Sequence, residues 1–123
     1  MVGALAVALG ASPPAALAAD ALCQKAEARA QAVRAKVPVE VDSVTNTTDA
    51  AADCGARLFA VAREIDLKHA RMEADFKDFL TKQITEHACA DATERALADA
   101  GWMVRYANAF SDGPVVNVDV ACK

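Results

Sequence analysis

No C-x-x-C, G-x-G-x-x-G, G-x-x-x-x-G-K-[ST] or G-x-S-x-G pattern occurs in the 123 residues. A thioredoxin-type redox pair, a dinucleotide fingerprint, a phosphate-cradling loop and a nucleophile elbow therefore have no support. Histidine is scarce, with two residues, His69 and His87, and aromatic residues make up only 5%. A Ser-His-Asp or Cys-His set needs a base oriented by a third group, and neither histidine has such a neighbour in sequence. His69 stands in the charged segment Asp66-Leu67-Lys68-His69-Ala70-Arg71, which reads as a solvated loop or a helix start. His87 falls near the end of a predicted helix, where an imidazolium is mildly favoured by the dipole. There is also no basic run. Arg29, Arg34 and Lys36 are interspersed with Glu27 and Glu40, and the net charge is −4. A mildly acidic chain of this kind has no electrostatic footprint for nucleic acid or an anionic membrane.

The N-terminal segment is apolar and free of charge up to Asp20, the first ionisable side chain. Val2 to Leu9 is apolar apart from Gly3, Ser12-Pro13-Pro14 interrupts a helix, and Ala16-Leu17-Ala18 puts small residues at the positions a signal peptidase reads. These are the h-region and cleavage site of a secretory signal, although no lysine or arginine precedes the apolar run. Residues 1–18 are accordingly expected to be a signal peptide and residues 19–123 a single domain. The apolar stretch is shorter than the roughly 20 residues a membrane span requires, so no transmembrane segment is expected in the mature chain. Asp20-Ala21-Leu22 before Cys23 lacks the small residues that lipidation prefers.

Four cysteines, Cys23, Cys54, Cys89 and Cys122, form an even set in a small exported chain, which implies disulfides. Three connectivities are open. Cys23–Cys54 with Cys89–Cys122 is preferred, because each bond then closes a moderate loop between adjacent elements. A zinc site built from His87, Cys89 and His69 lacks the second ligand pair that structural zinc uses, and oxidation would consume its thiolates. No cofactor or metal is expected.

Helical composition and an apolar repeat at Leu22, Ala26, Ala30 and Val33 predict a helix over Asp20–Ala35, ended by Pro38. Val39–Asp53 reads as one extended strand, although Ala50-Ala51-Ala52 disfavours it. After a turn at Cys54-Gly55, Arg57–Ile65 is the second strand, with Phe59, Val61 and Ile65 inward. Arg63 breaks that face, so a solvated strand end is expected. Met72, Phe76, Leu80 and Ile84 lie four apart with Phe79 beside them, which predicts a helix from about Glu73. A short helix follows over Ala92–Ala100, with Asp91 and Glu94 as a capping box and Gly101 as its stop. Trp102–Phe110 and Val115–Ala121 form a final hairpin around Ser111-Asp112-Gly113-Pro114. Trp102 and Tyr106 are read as core residues. Asp75, Asp78 and Asp119 are read as solvent-side carboxylates. The expected fold is α+β: a four-stranded antiparallel sheet of two hairpins with helices on one face, in the order α-β-β-α-α-β-β.

Pro38, Val39, Val41, Asp42, Cys89, Gly101, Tyr106, Phe110, Asp112 and Gly113 carry a resemblance. From Val37 to Cys122 the chain is similar to small exported bacterial proteins of unassigned activity, and departs from them where alanines occupy positions 50–62. The resemblance implies the strand–helix order and no catalytic residue or ligand. The function expected is that of a small exported, non-enzymatic module in the periplasm or outside the cell that binds a protein partner. The alternative is a small metal-binding protein or enzyme using His87, His69 and free cysteines.

Overall fold

The computed structural model describes residues 14–123, with side chains from Ala21 onward. The expected signal peptide falls mostly outside the described residues. The fold is α+β, with three α-helices and one sheet of five strands among the described residues. Helix α1 spans Pro14–Arg34, and its proline stands at the first helical position, where the missing N–H costs nothing. Strands β1 (Val39–Asp42), β2 (Thr45–Asp53) and β3 (Leu58–Ile65) follow, then a 3-10 turn at His69–Arg71. Helices α2 (Phe76–Ala90) and α3 (Ala92–Asp99) precede β4 (Met103–Phe110) and β5 (Val115–Asp119).

The strands lie in chain order, and every neighbouring pair is antiparallel except β3 with β4, which run parallel from Leu58↔Met103 to Ile65↔Phe110. This corrects the expected four-stranded antiparallel sheet in two ways. First, Val39–Asp53 is two strands. Asp42 Oδ1 accepts the Val44 N–H at 2.9 Å, and the chain reverses there so that Val39 pairs with Thr47. An Asx turn mimics a backbone turn and contains no glycine or proline, so the reversal carries no strong sequence mark. Second, the two hairpins join through a crossover, because parallel neighbours need a connection long enough to hold helices. Here α2 and α3 supply it.

The helices cover one face. Phe59, Val61, Ile65, Val104, Tyr106, Phe110 and Val118 point into the core beneath Leu80, Ile84, Ala88 and Leu97. Helix α1 lies against β2, the strand that the alanine run argued against. Ala26, Ala30 and Ala50 are all fully buried or nearly so, and their small side chains let the helix lie close to the sheet. Strand propensity is a weak constraint beside such packing. A bulge at Thr48 lets residues of opposite parity, Thr45 and Ala50, both face inward. Arg34 Nη1 donates to Ala50 O at 2.5 Å across the same contact.

Two disulfides fasten the layers. Cys23–Cys54 ties the middle of α1 to the end of β2, and Cys89–Cys122 ties the end of α2 to the C-terminal segment, with Cα separations of 5.5 and 5.6 Å. The pairs are those preferred from loop length.

Asp91 caps α3, its Oδ1 accepting from Thr93 N at 3.0 Å and Glu94 N at 2.9 Å. The expected capping box is incomplete, because the Glu94 side chain turns into the core instead. Gly101 has φ +88°, the left-handed geometry that closes a helix C-terminus. In the last hairpin Gly113 has φ +109°, and Phe110 N donates to Pro114 O at 2.9 Å.

Replacing Cys89 and Cys122 by serine should cost about 3–4 kcal/mol in urea denaturation, the chain entropy of a loop this long. A loss under about 1 kcal/mol would mean that the bridge does not constrain the unfolded chain. Ala30→Leu should destabilise by about 1–3 kcal/mol by wedging α1 from β2. A variant as stable as the parent would show that the helix has room to move.

Candidate functional site

Helix α1 rests on β2 and α3, while α2 rests on α3 and β5. The two long helices therefore straddle β3 and β4 and leave a groove of about 620 Å³ between them. Its walls are Ala32 and Val33 of α1, Lys36 in the turn that follows it, and Gln83, Ile84 and His87 of α2. Strand β1 forms the lip, exposed at all four residues, with Val39 and Val41 contributing apolar surface. Val61, Arg63, Glu94 and Tyr106 make the floor. This size lies within the roughly 300–1,000 Å³ range of ligand clefts.

The floor is polar and buried. The Tyr106 hydroxyl donates to Glu94 Oε1 at 2.5 Å, and Glu94 is 2% exposed. Arg29 Nη2 reaches Asp91 at 3.2 Å and Glu94 at 3.6 Å, bridging α1 to α3 at one end of the groove. Burial pushes the Glu94 carboxyl above the usual range, with the nearby Asp91 charge acting the same way. The Tyr106 hydrogen bond and the Arg29 charge oppose the shift without cancelling it. Burial also pushes the Tyr106 phenol up, reinforced by the Glu94 charge.

Arg63, expected at a solvated strand end, is buried instead. It faces the groove with 8% of its surface exposed, its guanidinium carbon 5.9 Å from the centre of the Tyr106 ring. Strand alternation from Phe59 and Val61 places it inward, and its long stem crosses the apolar layer to the groove floor. No ion-pair partner lies within reach among the described residues, and Nε is buried without a hydrogen bond.

The histidines are not brought together for chemistry. His69 packs edge-on against Phe110 at 5.1 Å, and its backbone N–H donates to Asp112 Oδ1 at 2.8 Å. His87 lines the groove wall. All four cysteines are bonded, so the alternative of free-thiol chemistry loses its nucleophiles. Cys23, Cys54 and Glu27 do approach one another closely enough to suggest a metal site, but both sulfurs belong to one disulfide and offer no thiolate. The groove has no motif in the sequence. Its trace there is Arg63 and Glu94, charged residues at positions whose periodicity points inward.

No family model matches the chain, and no curated protein matches it. Solved structures share its fold. The type 2 secretion system pilotin EpsS of Vibrio vulnificus superposes with a TM-score of 0.64 at 20% identity, over 83% of this chain and 89% of that one. The type II secretion system pilotin AspS of Vibrio cholerae gives 0.67 at 17% identity, over 89% and 96%. A protein of Pseudomonas aeruginosa assigned as secreted gives 0.66 at 16% identity, over 82% and 89%. At this identity the likeness is one of fold.

Because burial raises the Glu94 pKa, the folded chain holds, to a higher pH, a proton that the unfolded chain releases in the ordinary glutamate range. Stability from this group is therefore full at low pH and falls as pH rises through that window. Urea midpoints across that window should decline for the parent and flatten in Glu94→Gln. An unchanged slope in the variant would assign the titration to another group.

Proposed function

We propose that this chain is an exported, non-enzymatic module that binds a protein partner in the manner of a secretion-system pilotin, with the groove between α1 and α2 as its docking surface. One observation carries the reading: a fold shared with two pilotins contains a partly apolar groove beside an exposed edge strand. An amphipathic segment can lay its apolar face on Val33, Val39, Val41 and Ile84, the helix-in-groove mode of peptide recognition. The rest of the molecule suits such a task. The disulfides hold both walls to the sheet, so little order has to be gained on binding.

Export rests on the N-terminal sequence. Residues 1–18 act as the signal, and the mature domain of residues 19–123 works in the periplasm or outside the cell, where its disulfides form. Cleavage after Ala18 would leave intact the α1 side chains that pack on the core among those described, Leu22 through Val33. In this reading, groove residues recognise a partner and no residue performs catalysis.

A photo-reactive amino acid at Val41, on the groove lip, should cross-link an exported protein in the producing cell. The same group at Ala107, on the opposite sheet face, should not. Ala32→Trp should fill the groove and abolish the Val41 product while the domain stays folded by circular dichroism. Cross-linking from Ala107 alone, or a Val41 product that survives Ala32→Trp, would remove the groove from partner binding.

A further inference from the structure

The groove floor carries a cation without a counter-ion. Burying a charge is costly unless it is paired and hydrogen-bonded, and natural interiors rarely leave one alone. Every other charge near the floor is engaged. Arg29 bridges Asp91 and Glu94, and Glu94 also accepts from Tyr106. Asp42, the acidic residue whose field reaches Arg63, gives Oδ1 to the Val44 N–H and forms no ion pair with it. Only the face of the Tyr106 ring stands against the Arg63 guanidinium. That is a partial substitute, worth far less than a carboxylate.

We propose that Arg63 is the specificity anchor of the groove and pairs with the carboxylate of an acidic side chain on the partner's docked segment. This inference rests on the groove being the docking surface, and it adds the chemistry of the occupant. A glutamate or aspartate within an apolar helix face fits both halves of the site. Val33, Val39, Val41 and Ile84 receive the apolar groups, and the Arg63 guanidinium, whose Nε is buried without a partner, receives the charge. Guanidinium is suited to this because it offers carboxylate two parallel hydrogen bonds, and the low dielectric of the floor strengthens them. A partner with lysine or an amide at that position would leave Arg63 buried against a like charge or a weaker acceptor. The rim charges Lys36 and Glu40 are exposed and contribute less to the choice.

The test uses the disulfide-bonded protein labelled with nitrogen-15, reading the Arg63 Nε–H signal and the Val61 amide by NMR. The probes are N-acetyl-leucyl-glutamic acid α-amide, its glutamine counterpart, and decanoate. The glutamyl probe should shift both signals and bind about tenfold more tightly than the glutaminyl one, the factor that one charge-assisted hydrogen bond supplies. Arg63→Gln should erase that difference and Arg63→Lys should retain part of it, with folding of each checked by its amide spectrum. Because the two peptide probes are compared on the parent protein, the result does not depend on either variant folding. Equal binding of the two probes, or no shift at Arg63 with either, would overturn the pairing. If the Val41 cross-link persisted in that case, the groove would still be the docking surface. Decanoate binding more tightly than the glutamyl probe would also overturn the inference, by assigning Arg63 to a fatty acyl carboxylate.

Discussion

The parallel pairing of β3 with β4 is the constraint on which the rest of the molecule depends. Two parallel neighbours cannot be joined by a tight turn, so the chain must leave the sheet and return. It does so through α2 and α3, which come to lie on the face where α1 already covers β2. Among the described residues, three helices over five strands do not tile that face completely. The uncovered part falls above the β3–β4 seam, and that seam supplies Val61, Arg63 and Tyr106 to the groove floor. The groove is thus a consequence of topology, and the disulfides maintain it by holding α1 at Cys54 and the end of α2 at Cys122.

The electrostatics of the floor follow from the same placement. Glu94 belongs to the first turn of α3, where a carboxylate would ordinarily cap the helix. Tyr106 on β4 donates to it, so the carboxyl is held inward, where burial raises its pKa against the opposing effect of that hydrogen bond. Arg29 completes the set from α1, which ties three elements together through one buried cluster. Arg63 sits one strand away and takes no part in that cluster. An engaged acid and an unengaged base in one cavity give the groove a polarity that its apolar walls alone would lack.

Much of the architecture was legible in the sequence because it rests on local periodicity. The stripe at Phe76, Leu80 and Ile84, the alternation around Val104 and Tyr106, and the turn at Asp112-Gly113-Pro114 each express a preference that needs no distant partner. What escaped was non-local. The turn at Asp42–Thr45 is made by a carboxylate and carries neither glycine nor proline, so β1 and β2 read as one strand. The alanines at 50–52 looked hostile to a strand because their reason, the close approach of α1, lies elsewhere in the chain. Arg63 looked like an exit to solvent because a charge at an inward position ordinarily marks one. Phe79, placed beside the apolar stripe, is 56% exposed, since the helix turns it away from the sheet.

The sequence by itself determined the elements, the inward faces of the central strands and an oxidised set of four cysteines, since these depend on side-chain periodicity, turn chemistry and the usual fate of cysteine in exported chains. Only the tertiary structure decided that β3 and β4 run parallel, that α1 and α2 stand apart over their seam, and that Arg63 faces the gap without an ion pair among the described residues. Strand direction and helix spacing are set by contacts between residues far apart in the chain, and no local preference encodes them.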